Sequence, residues 1–244
     1  MHRFYADASG IVDGMATLPP EDAVHAARVL RMKPGEACEF FCAGKRYRAE
    51  VAELSPQRVT LRMLEELPTT EPRLRITLYQ GLPKADKLEL IIQKAVELGA
   101  EAIVPVAMER SVVRLDKKDG EKKRERWQKI AREACKQSGR CVEPEVRSPI
   151  ALSGLEAAVS AHDLVIVPWE DARKISLSDI HHGYPEVASI GIVIGPEGGI
   201  SSEEIARLEE RGAIPVTLGP RILRTETAGL CAISALLCLY GDME

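Results

Sequence analysis

The sequence predicts a small β-rich domain followed by an α/β domain with a mainly parallel sheet. Three observations carry this. Short period-two apolar runs crowd the first seventy residues, a Pro- and Thr-bearing stretch at residues 67–72 breaks the pattern, and strands then alternate with helices. The domains are accordingly set at residues 1–70 and 73–244. A chain of 244 residues is long enough for one small and one medium core.

In the first domain, Glu39-Phe40-Phe41-Cys42 and residues 47–54 and 58–64 read as strands. Ala43-Gly44-Lys45 suits a hairpin turn, and Lys33-Pro34-Gly35 a loop. Residues 21–30, after Pro19-Pro20, read as a short helix. Several closely spaced strands with one helix suggest a small barrel.

In the second domain, Leu74-Arg75-Ile76-Thr77-Leu78-Tyr79 alternates like a strand. Leu88, Ile91, Ile92, Ala95 and Val96 then recur at helical spacing, with Gly99 as the cap. A short strand at 103–106 precedes a helical stripe of Trp127, Ile130, Ala131, Ala134 and Cys135, ended by Gly139. Residues 164–167 and 190–194 are continuous apolar runs, as strands covered on both faces are. Ser201 and Glu204 form a capping box that opens a helix. Residues 216–218 make a last strand and 225–240 a last helix, capped by Thr225 or Thr227 and apolar enough all round to be buried.

Bulk properties exclude more than they suggest. Thirty-three basic and 37 acidic residues give a net charge of −4, so global charge does not point to nucleic acid. Basic residues do crowd positions 117–132, interleaved with Glu121 and Glu125, which suits a solvated helix face with a local basic side for RNA. No apolar run is long enough for a bilayer and the start has no signal core, so a cytoplasmic protein without a membrane partner is expected. The six cysteines form no CxxC pair and no His stands at metal-ligand spacing beside them. Buried reduced thiols, Cys231 and Cys238 included, and no metal site are expected.

Two glycine-bearing segments carry the chemistry. Ile194-Gly195-Pro196-Glu197-Gly198-Gly199-Ile200 lies between a buried strand and a capped helix, where open α/β sheets bind ligands. It has neither the GxxxxGK[ST] lysine of a phosphate cradle nor the GxGxxG order of a dinucleotide site. Glu197 would repel phosphate. A ribose-bearing ligand without phosphate fits better, and S-adenosylmethionine, with its positive sulfonium, is one. The second segment, Leu218-Gly219-Pro220-Arg221-Ile222-Leu223-Arg224-Thr225-Glu226-Thr227-Ala228, joins the last strand to the last helix. Arg221 and Arg224 there suit an anion such as RNA phosphate. Lys84 and Lys87, after the first strand of the α/β domain, are either RNA contacts or plain helix-start lysines.

Taken in order, Met1-His2-Arg3-Phe4, residues 25–35, Leu82-Pro83-Lys84, 92–99, 109–114, Arg126-Trp127 with 133–140, 194–199 and 218–228 resemble the RsmE family of ribosomal RNA uridine N3-methyltransferases, within the SPOUT class. The resemblance covers nearly the whole chain, and Arg221-Ile222-Leu223-Arg224-Thr225-Glu226-Thr227 is its most specific part. Ile200 stands where the family pattern has an aromatic, and Lys136 where it has an acid.

The resemblance implies a PUA-like, RNA-binding N-terminal barrel, a deep C-terminal trefoil knot and a homodimer acting on small-subunit (16S) ribosomal RNA. It implies S-adenosylmethionine held by Pro168, Trp169, Ile194, Gly195, Pro196, Glu197, Gly198, Gly199, Leu218, Gly219, Ile222, Leu223 and Thr225. Arg221, Arg224 and Glu226 would serve catalysis, with Glu226 as a candidate base. Arg3, Arg28, Arg31, Lys84, Arg110 and Arg140 would meet RNA, Arg140 being equally suited to a charge at a helix C-terminus. Two other readings stand beside this one: a SPOUT methyltransferase acting on transfer RNA or at ribose, and a non-catalytic RNA-binding module.

Overall fold

The computed structural model describes residues 1–6, 11–55 and 57–243. The chain divides into two compact units, Met1–Glu71 with Cys135–Glu143, and Pro72–Ala134 with Pro144–Glu244. The first unit takes in a segment from far along the chain as well as the N-terminal residues.

The first unit contains β1 (His2–Tyr5), β2 (Ile11–Val12), β3 (Met15–Thr17), α1 (Pro20–Val24), β4 (Ala37–Cys42), β5 (Lys45–Leu54) and β6 (Val59–Leu67). They form one sheet in the order β1-β4-β5-β6-β3-β2, antiparallel except where β1 meets β4. Strands β4 to β6 match the expected runs; β1 to β3 are additional and too short for a pattern. Hydrogen bonds joining β1 to β2 into a closed barrel are absent among the described residues. Ala43 and Gly44 both have positive φ (50° and 75°), the twist that a two-residue hairpin turn requires. Phe4, Phe40, Val51 and Leu61 fill the core. The expected helix begins at Pro20 and widens into a π-turn over His25–Val29 before Arg31 leaves it at φ 53°.

The second unit contains β7 (Arg75–Gly81), α2 (Lys87–Leu98), β8 (Ala102–Ala107), α3 (Lys117–Ser138, its last turn in the first unit), β9 (Glu145–Val146), β10 (Ile150–Ala151), α4 (Leu152–Ala158), β11 (Leu164–Pro168), α5 (Leu177–Gly183), β12 (Ser189–Ile194), α6 (Ser202–Glu209), β13 (Ile214–Val216) and α7 (Thr225–Leu239). The sheet runs β10-β8-β7-β12-β11-β13, with β9 beside β8, and every pairing is parallel. Helices α2, α5 and α7 pack together, and α4 packs on α6. Leu78 of β7 and Ile194 of β12 meet α7 at Gly229, while Tyr79 and Val193, one residue away, join the core under α4 and α6. The period-two alternation thus serves two buried faces.

Three expectations need correction. The last strand is Ile214–Val216, two residues earlier than expected. Neither Thr225 nor Thr227 caps α7; its N-cap is Arg224, and no side chain accepts a hydrogen bond there. Cys231 and Cys238 are exposed, so α7 is buried along one side only.

Candidate functional site

The strand order puts a switch point between β7 and β12. From β7 the chain steps to β8 on one side, whereas β12, β11 and β13 lie on the other. Parallel sheets open a crevice at the carboxyl ends of such neighbours. A cleft of about 330 Å³ lies at these ends, in the second unit, walled by the residues after β11, β12 and β13 and by the start of α7.

Two glycines beside the cleft allow close packing of the glycine turn. A Cβ on Gly81, at the end of β7, would lie 2.6 Å from the backbone nitrogen of Pro196. A Cβ on Gly198 would lie 2.9 Å from Cβ of Arg110. Only glycine allows these backbones to approach so closely. The turn then runs into α6, whose Ser201 and Glu204 form the expected capping box. Ser201 Oγ also donates to Glu109 Oε2 (2.7 Å), and the Glu109 N–H donates to Glu204 Oε1 (2.9 Å). The loop after β8 is thereby tied to the glycine turn.

Three chain segments meet at the cleft in a buried chain of hydrogen bonds. Gln80 Nε2 of β7 donates to Thr225 Oγ1 (2.8 Å), and that hydroxyl donates to the Gly195 carbonyl (2.6 Å). The Thr225 hydroxyl is therefore used across the fold and not as a cap. Gln80 is fully buried, and its Oε1 has no partner.

At the mouth, Lys87 Nζ lies 3.1 Å from Glu197 Oε1 and 3.2 Å from Glu226 Oε2. The Lys84 N–H donates to both oxygens of Glu197 (3.1 and 3.2 Å). Glu226 is held below its ordinary carboxylate value by its own backbone N–H, against the pull of burial, and further by Lys87. For Glu197 burial acts upward, but its own N–H, Lys87 and the Lys84 amide outweigh it and the net shift is downward. The Lys87 ammonium is raised by Glu197 first and Glu226 second. All three groups are charged at neutral pH.

The structure brings most of the expected site residues together. Positions 168, 169, 194–197, 199, 218, 219, 222, 223 and 225 line the cleft, as do Arg221, Arg224 and Glu226. Gly198 does not; it packs on Arg110 instead. The residues expected at RNA fare differently. Arg28, Arg31 and Lys84 are exposed. Arg110 is exposed too, but its Nη1 donates to the Gly198 carbonyl (3.0 Å), so it props up the turn. In the first unit, Arg3 donates to the Gln137 carbonyl (2.8 Å) and stacks on Gly139. Arg140 contradicts the expectation of an RNA contact. It is only 5% exposed, and Glu71 holds its guanidinium at 2.5 Å, so it cannot reach phosphate without breaking that pair.

The sequence assigned Gln80 and Glu170 no role of their own and did not point to Arg173, and it read Lys87 as a candidate RNA contact or a plain helix-start charge. A signal for Lys87 existed: a cation on the first residue of a helix opposes the helix dipole, which invites a search for its partners. Among the described residues no cluster of His, Cys, Asp and Glu is placed to hold a metal ion, and no helix is long and apolar enough to cross a membrane.

The fold and cleft define an α/β domain with a ligand cleft at the switch point of a parallel sheet, in a chain that also carries a β-rich unit. The chain belongs to the RNA methyltransferase domain family, which residues 70–237 match, and residues 18–64 match the RNA methyltransferase PUA domain. It is 40% identical over 229 residues to ribosomal RNA small subunit methyltransferase E of Bacillus subtilis, covering 88% of this chain and 87% of the relative. The enzyme of that name from Mycobacterium tuberculosis is 32% identical, over 96% of this chain and 90% of the relative. A crystal structure of ribosomal RNA small subunit methyltransferase E from Neisseria gonorrhoeae bound to S-adenosyl methionine is similar with a TM-score of 0.83 at 38% identity, covering both chains completely.

Proposed function

We propose that this chain is an S-adenosylmethionine-dependent methyltransferase that methylates N3 of a uridine in small-subunit (16S) ribosomal RNA. The cleft built jointly by the 194–200 turn and the 218–228 segment carries this reading. Its volume suits a nucleoside-sized ligand. Pro168, Ile194, Ile200, Leu218 and Leu223 supply apolar wall for an adenosine, and Glu170, Glu197 and Glu226 supply negative charge for a cationic ligand. Its lysine, Lys87, is committed to two carboxylates, and Arg173, Arg221 and Arg224 leave cationic groups for the RNA substrate. The residues present therefore fit S-adenosylmethionine, which when bound supplies a methyl group on a positive sulfur.

Uracil N3 carries a proton at neutral pH and sits on the Watson–Crick edge, so the base must be unpaired and its anion stabilised. Glu226 is a weak candidate for the base, because its carboxylate is held low and paired with Lys87. Arg221 and Arg224, exposed at the rim, are better suited to stabilise the uracil anion or hold a flanking phosphate. The further proposals are a trefoil knot, a homodimer and a cytoplasmic protein. The knot is supported by the path of the last segment, which leaves edge strand β13 yet links through Thr225 to Gly195 and Gln80 beneath the glycine turn. Covering the exposed side of α7 in a homodimer would remove Cys231 and Cys238 from water.

Mass spectrometry of ribosomal RNA nucleosides from a strain lacking this gene tests the assignment. The expected result is loss of 3-methyluridine from small-subunit RNA, restored by the intact gene. Persistence of that nucleoside overturns it.

A further inference from the structure

The residues that end β7 and begin α2 are joined to the glycine turn and to the start of α7 twice. The inner link is neutral and buried: Gln80 to Thr225 to the Gly195 carbonyl. The outer link is charged and lies at the cleft mouth: Lys87 to Glu226 and to Glu197. Two independent bridges thus span the same three segments at different depths.

The outer bridge is placed against local preference. Lys87 is the first residue of α2, where the helix dipole disfavours a cation. Without it, two carboxylates that now share one ammonium would face each other at the mouth. A lysine merely decorating a helix start needs neither partner.

We propose that Lys87 is a positioning residue, the outer clasp that holds Glu197 and Glu226 in place at the cofactor cleft so that the cleft meets a cationic ligand with both carboxylates ionised. The proposal rests on S-adenosylmethionine being the ligand. The other charged groups lining the cleft are Glu197 on the turn, Glu226 and Arg224 at the start of α7, Arg221 in the segment before it, and Glu170 and Arg173 after β11. Lys84 adds a backbone N–H to Glu197. None of these replaces Lys87 between the two carboxylates.

Calorimetric titration of the full-length chain with S-adenosylmethionine, across the carboxylate pH range, tests this. Lys87→Met is expected to weaken binding about fivefold at neutral pH, the scale of one partly exposed charge contact. The low-pH limit of binding should also move upward by about one unit, because one carboxylate of an unclasped pair protonates more readily. Lys87→Arg, which keeps the charge and can span both carboxylates, restores affinity and pH limit. A purely structural lysine would change the melting temperature and leave the pH limit where it was. Lys87→Met with the original affinity and pH limit overturns the clasp while leaving the cofactor assignment intact. No binding by the unaltered chain overturns that assignment, and the clasp with it.

Discussion

At the scale of single residues, the Arg140–Glu71 ion pair ties the two chain segments of the first unit together. Arg140 is buried with Glu71 beside it, and Glu71 also accepts from the N–H groups of Cys141 (2.7 Å) and Val142 (3.2 Å). Removing Glu71 takes a carboxylate from a buried guanidinium and the acceptor from two N–H groups. Glu71→Ala is expected to cost the first unit about 3 kcal/mol, read by urea denaturation. Gly81 and Gly198 make a second prediction. Alanine at either forces backbone apart at the glycine turn, so Gly81→Ala should weaken S-adenosylmethionine binding by about tenfold or more, as overpacking of a tight core does. Titration calorimetry checks it. Much of this was legible in the residues: Gly195 and Glu197 announced a ligand turn by type and position. Thr225 and Arg140 were misread because sequence shows neither which way a hydroxyl points nor whether a guanidinium has found a carboxylate 69 residues away.

At the scale of elements, α6 shows how caps fix the site. Ser201 is 2% exposed and accepts from the Glu204 N–H while donating to Glu109. Ser201→Ala is expected to cost about 1 kcal/mol, the usual worth of an N-cap, with a chemical denaturation midpoint as the readout. Asp163 does the same for a strand. It accepts from the Ala188 and Ser189 N–H groups (3.0 and 2.9 Å) and from the Ser189 hydroxyl (3.0 Å) at the start of β12. That hydroxyl first, then the Ala188 N–H, hold its carboxyl below the ordinary value. Because the folded value is depressed, its contribution is complete above the unfolded carboxylate value and is lost as pH falls through the folded one. Asp163→Ala should therefore lower stability at neutral pH and flatten its acid limb, as thermal melts over that range would record. The buried strands β11 and β12 were plain in the sequence because both faces are apolar. β13 begins two residues earlier than expected and contains Pro215, whose missing N–H an edge strand beside β11 tolerates. β1 carries a charged Arg3 in four residues, too little pattern to read.

At the scale of the whole molecule, a chain of net charge −4 that is proposed to grip ribosomal RNA must do so locally. Lys117, Lys118, Lys122, Lys123 and Lys129 are all exposed on α3. Lys122→Glu with Lys123→Glu is expected to reduce RNA affinity and the steepness of its salt dependence, leaving S-adenosylmethionine affinity unchanged. Filter binding at several salt concentrations checks the first, calorimetry the second. The division of the chain makes another expectation. A fragment of residues 1–71 lacks the Cys135–Glu143 segment that supplies Arg140, the Gln137 carbonyl bound by Arg3 and the Gly139 carbonyl bound by Thr70. It should be far less stable than the same unit in the intact chain, by circular dichroism melting.

The discontinuous first unit also sets a timetable for synthesis. Its sheet leaves the ribosome first, but the Arg140 that neutralises Glu71 is made 69 residues later. At about 5–20 residues per second, that is a wait of roughly 3–14 seconds. During it, Glu71 stays hydrated and the β strands lack the segment that completes their unit. The first domain to be translated is therefore not the first able to finish folding, and a nascent chain halted before residue 135 would hold an incomplete N-terminal unit.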